Sequence, residues 1–127
     1  MHRYTHDNVL LVFEDEEAIG SWVSLQRDDH LRVSTAGNGL SGVEKFCRAI
    51  VRDEAFDVVV AQYDMTVLTG LDVLRRIRSI APQTRTVLFV RAGGYSSLIE
   101  KLAWPDFIVT EPMQLTALLQ GTSQGAQ

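Results

Sequence analysis

Cysteine is nearly absent from this chain. Cys47 stands alone among 127 residues, which excludes an intramolecular disulfide and a zinc site built on cysteines. Histidine does not fill the gap: His2, His6 and His30 are scattered and share no metal-ligand spacing. No apolar run approaches the roughly 20 residues that cross a bilayer, and the first eight residues lack the apolar centre of a signal peptide. An excess of positive charge is missing too. The formal net charge of −4 gives no electrostatic reason to expect nucleic acid or an anionic membrane as a partner. What is present, 46% hydrophobic and 22% charged residues, is ordinary for a soluble globular protein. The expectation is one cytoplasmic domain, long enough to bury roughly two thirds of its unfolded surface.

Apolar runs and helical spacings alternate along the chain. Val9 to Phe13 reads as a strand buried on both faces, followed at once by the acidic cluster Glu14-Asp15-Glu16-Glu17. Ala18, Trp22 and Leu25, with Ile19 and Val23 beside them, then fall on one helical face, and the acids sit where the helix dipole favours negative charge. Leu31 to Thr35 alternates as an edge strand. Asn38-Gly39 turns the chain into a second helix with Val43, Phe46, Cys47 and Ile50 on one face, where Cys47 reads as core packing. Phe56 to Ala61 is the third strand. The third helix carries Leu71, Leu74, Ile77 and Arg78 and stops near Pro82. Thr86 to Val90 is the fourth strand, Ser96 to Leu102 leaves room for a short fourth helix, and Phe107 to Val109 is the fifth strand. A last helix carries Leu115, Leu118 and Leu119. Five βα units in regular alternation imply a parallel sheet with right-handed crossovers. The expected organisation is an N-terminal extension over residues 1–8, a folded domain over 9–120 and a frayed tail over 121–127.

In an open parallel α/β sheet, ligands and chemistry sit just beyond the carboxyl ends of the strands. Gln62 occupies that address on the third strand. Its side chain is a neutral amide with no anionic oxygen for attack or for metal binding.

Three stretches carry a resemblance: Leu10-Leu11-Val12-Phe13-Glu14-Asp15-Glu16-Glu17-Ala18-Ile19, Phe56-Asp57-Val58-Val59-Val60, and Gly70-Leu71-Asp72-Val73-Leu74-Arg75-Arg76-Ile77-Arg78. In this order, with Glu111-Pro112 after the fifth strand, they resemble the receiver domain of two-component response regulators. The resemblance runs from about Val9 to Gln120. It implies a flavodoxin-like, doubly wound five-stranded parallel sheet of order 2-1-3-4-5, a (βα)5 chain with a shortened fourth helix.

The resemblance also implies a set of working parts, and several are altered. An acidic pair that holds Mg²⁺ falls on Glu14 and Asp15, with Asp64 adding a backbone carbonyl. The phosphoacceptor aspartate falls on Gln62. The Ser or Thr that senses the phosphoryl group falls on Arg91, and the small residue after it is kept as Ala92. The lysine before proline becomes Glu111, before Pro112. Two unit charges about 4 Å apart interact by roughly 4 kcal/mol at an effective dielectric near 20, so Lys to Glu turns an attraction toward phosphate into a repulsion. Thr66 replaces the proline that often follows Met65, and the aromatic switch position falls on Ile108.

These changes imply a degenerate receiver, a pseudo-receiver that is not an enzyme and needs no cofactor. Arg91, hydrogen-bonded to Gln62, is expected to neutralise Glu14, Asp15 and Glu111 where Mg²⁺ otherwise would. The alternative is a phosphorelay receiver modified at Asp64 with Mg²⁺ on Glu14 and Asp15; those two acids read equally as helix-start residues. A flavin-binding domain ranks last, since the loop after the first strand is acidic where a phosphate wants donors. The expected partners are proteins: a histidine kinase, another regulator or an output protein. By resemblance the surface of fourth helix, fifth strand and fifth helix docks them or forms a homodimer, and Tyr95, Trp104 and Ile108 mark it.

Overall fold

A computed structural model describes residues 7–25, 31–90, 105–111, 113, 114 and 118, with the side chains of 7 and 21–25 left out. The elements are β1 (Asp7–Val12), α1 (Glu16–Leu25), β2 (Leu31–Ala36), α2 (Gly39–Val51), β3 (Val58–Gln62), α3 (Gly70–Ile80), β4 (Arg85–Phe89) and β5 (Phe107–Val109). The strands form one parallel sheet in the order β2-β1-β3-β4-β5, the flavodoxin-like arrangement expected from the sequence. Positions 113, 114 and 118 are helical. The expected fourth helix, with Tyr95 and Trp104, lies outside the described residues, as do Arg91, Ala92, Pro112, the side chains of Trp22, Val23 and Leu25, and the three histidines.

Alternation along buried strands builds the two layers. Leu10, Val12, Val59, Ala61 and Leu88 face one side, where Phe46 of α2 and Leu74 and Ile77 of α3 cover them. Val9, Leu11, Val58, Val60, Val87 and Phe89 face the other, covered by Ala18 and Ile19 of α1 and by Leu118. Each fully buried side chain of this size stabilises the fold by about 1.5–3 kcal/mol relative to exposure. Phe13, just past β1, stacks on Phe89 with ring centroids 5.5 Å apart.

Several expectations shift. β1 begins at Asp7, inside the expected N-terminal extension, because Asp7 and Asn8 pair with Leu31 and Arg32, and β3 runs from Val58 to Gln62 instead of Phe56 to Ala61. The buried face of α2 is Gly39, Gly42, Phe46 and Ala49, while Ile50 is exposed and Cys47 half-buried. Small residues bring the helix close: a Cβ on Gly42 would lie 2.8 Å from the Val12 side chain. On α3, Val73 joins Leu74 and Ile77 inside, while Arg78 is exposed. Finally, β4 starts at Arg85 instead of Thr86, because its register pairs Arg85 with Val58 and Phe89 with Gln62. Val90 stays buried just beyond the strand.

Candidate functional site

Strand order places the site. β1 and β3 are neighbours, and their connecting helices leave the sheet on opposite faces. A crevice therefore opens at their carboxyl ends, the switch point where ligands sit in this architecture. The register pairs Val12 with Ala61, so Gln62 lies opposite the start of the β1–α1 loop.

Gln62 is only 4% exposed. Its side-chain oxygen accepts from the backbone N–H of Glu14 at 2.9 Å and, more weakly, from that of Asp15 at 3.4 Å. The amide thus ties the ends of β1 and β3 together. A buried polar group is tolerated when it is bonded in this way. It also uses the oxygen that an Arg91 guanidinium was expected to reach; Arg91 itself lies outside the described residues.

The two acids are spent on structure. Asp15 caps α1, its Oδ1 accepting from the N–H of Glu17 at 3.0 Å and of Ala18 at 3.4 Å. Glu16 and Glu17 follow in the first turn, where the dipole favours them. Glu14 turns across the crevice to the β3–α3 loop, where its Oε2 accepts from the backbone N–H of Thr66 at 2.9 Å and from the Thr66 hydroxyl. Proline at position 66 would supply neither donor. Threonine in place of the proline that the resemblance implies is therefore what lets this loop bind Glu14.

The rest of the β3–α3 loop is tightly built. The Tyr63 carbonyl accepts from the N–H groups of Met65 and Gly70, both at 3.0 Å. Thr69 and Asp72 form a reciprocal cap at the start of α3. Gly70 sits so close to the end of β3 that a Cβ there would lie 2.3 Å from the Gln62 backbone oxygen. Val67, 86% exposed, has φ of +66°, a left-handed conformation that a β-branched side chain resists.

Asp64 is exposed. Among the described residues, no three His, Cys, Asp or Glu side chains gather where a metal ion could be held. A Mg²⁺ site needs several free oxygen ligands converging on one point. Here the Gln62 oxygen, Glu14 Oε2 and Asp15 Oδ1 each accept from N–H groups on different parts of the chain. They do not converge on one point, so the described donor set does not fit that ion. Glu111 is exposed, with its N–H donated to the Gln114 side chain at 3.0 Å. Ile108 pairs with Leu88 in the sheet and packs half-buried on the core. The structure thus brings Gln62, Glu14 and Asp15 together and leaves Asp64 and Glu111 to solvent. Sequence reasoning missed the roles of Thr66 and Gly70. Their only signal was the absent proline and a glycine at the start of a helix.

No family model matches the chain. It is 32% identical over 122 residues to a probable transcriptional regulatory protein, TcrX, of Mycobacterium tuberculosis; the match takes in 89% of this chain and 50% of that protein. The chain therefore spans about half the length of that curated relative. Among solved structures it is similar to the response regulator TrrA of Thermotoga maritima in complex with Mg²⁺-BeF, with a TM-score of 0.73, 20% identity and coverage of 93% and 97% of the two chains. A response regulator receiver domain protein of Clostridium thermocellum gives 0.72, 17%, 94% and 96% in the same order. Fold and strand order agree: the chain has the fold seen in response-regulator receiver domains.

Proposed function

We propose that this domain signals without accepting phosphate at the usual position and acts through phosphorylation-independent contact with a protein partner. The observation that carries this reading is Gln62: a neutral side chain at the acceptor address, buried, with its oxygen committed to the N–H groups of Glu14 and Asp15. Transfer to an aspartate needs a carboxylate oxygen with room for in-line attack and a cation to neutralise the incoming oxygens. An amide supplies neither, and Glu14 and Asp15 are engaged elsewhere. Glu111 adds negative charge at the position where the resemblance places a lysine.

The partner would be a kinase, another regulator or an output protein in the cytoplasm. Exposed apolar side chains on β5 and just after it, Phe107 and Met113, support the fifth-strand face as the docking or dimer surface. Among the described residues no helix is long and apolar enough to cross a membrane.

Titration with Mg²⁺ and then beryllofluoride, followed by tryptophan fluorescence and amide chemical shifts, tests the reading. The expected result is no saturable change near Gln62. Saturable shifts at Glu14, Asp15 and Asp64 would overturn it.

A further inference from the structure

A second feature lies away from the crevice and shares no residue with it. Between α2 and the outer edge of the sheet at β2 runs an open groove of ≈ 470 Å³ lined by Arg32, Lys45, Arg48 and Arg52. These are four of the chain's 12 basic residues, in a protein of net charge −4. Glu54 is the one carboxylate lining it. Positions 45, 48 and 52 are spaced three and four apart, so they form a single stripe down α2. The seven steps from position 45 to Arg52, the C-cap of α2, rise about 10 Å, and Arg32 of β2 lines the other side of the groove.

The cations are held to different degrees. Lys45 donates to the Thr35 backbone oxygen at 2.7 Å. Because Ala36 turns its carbonyl to Phe13, the Thr35 carbonyl belongs to the open edge of the strand, and Lys45 covers it. Arg48 reaches Glu44 only at 3.9 Å, with both side chains more than half exposed, a pair worth little. Arg32 and Arg52 are exposed and have no carboxylate in ion-pair range among the described residues.

We propose that this groove binds an acidic peptide segment of a partner protein in extended form. Charge complementarity and spacing both favour it. Carboxylates on one side of an extended chain recur about every 7 Å, so two of them fit along a cationic stripe of about 10 Å. A small anion such as phosphate would meet only part of a stripe about 10 Å long. Single-stranded nucleic acid wants exposed aromatic platforms, and the groove's one aromatic, Phe56, is buried.

The test is fluorescence anisotropy of the full chain with a labelled peptide alternating Glu and Ser. A Gln-Ser peptide and a single-stranded oligonucleotide of similar length are the controls. The acidic peptide should bind, and its affinity should fall with salt. Reversing Arg48 and Arg52 together to Glu should weaken it about tenfold, whereas Arg76→Glu on the exposed face of α3 should change it less than about twofold. Circular dichroism of each variant guards against misfolding, and amide shifts in the wild type should move at Arg32 and Arg52. No saturable binding, equal binding of the Gln-Ser peptide, tighter binding of the oligonucleotide, or equal loss in Arg76→Glu would each overturn the proposal.

Discussion

The crevice between β1 and β3 and the groove beside α2 handle charge in opposite ways. In the crevice, Glu14 and Gln62 accept from backbone N–H groups of other segments, and Asp15 accepts from those of its own helix start. In the groove, Arg32 and Arg52 are exposed with no described carboxylate in range, and Arg48 has only a long contact to Glu44. A side chain bonded to backbone is committed, because a ligand would have to replace those bonds before gaining anything. An exposed cation is available at little cost beyond its own ordering. The polar groups at the carboxyl ends of β1 and β3 are thus held by internal hydrogen bonds, and exposed cations lie on the flank.

Breaking the crevice should have large effects. Gly70→Ala forces a Cβ against the Gln62 carbonyl, at 2.3 Å in the unrelaxed structure. Overpacking of this kind costs about 1–3 kcal/mol or more, and contact with backbone puts this case at the upper end. Urea denaturation should show the midpoint falling with an unchanged slope. Gln62→Ala should come next, at about 2 kcal/mol, since it opens a cavity and strands the Glu14 N–H. A neutral result would mean that the amide does not tie the two loops together.

Val67→Asn should go the other way. Asparagine tolerates the left-handed region, and an 86% exposed side chain has little packing to lose. A gain of about 1 kcal/mol is expected, read as a thermal midpoint higher by about 4 °C. The groove should respond least: Glu44→Ala removes the weak partner of Arg48 and should change stability by less than about 0.5 kcal/mol. A larger loss there would mean that the groove's charges are structural, as they are in the crevice.

Much of this was legible in the chain. Runs such as Val58 to Ala61 are buried on both sides, and Phe107–Val109 forms the strand that its composition suggested. The address of Gln62 followed from its place at the end of the third strand. What escaped was contact between distant segments. Thr66 and Glu14 are 52 positions apart, and no local pattern announces that bond. The inner face of α2 was misread because Gly39 and Gly42 carry no hydrophobic signal, although their small size is what lets the helix approach Val12 and Leu68. The groove went unseen for a similar reason: the stripe on α2 becomes a site only when β2 places Arg32 opposite it.

The central claim, that the crevice has exchanged phosphoryl capture for internal hydrogen bonding, is tested most directly by intact-mass spectrometry after incubation with acetyl phosphate and Mg²⁺. An unchanged mass is expected. A gain of one phosphoryl group, located by peptide mapping at Asp64 or elsewhere on the β3–α3 loop, would contradict it.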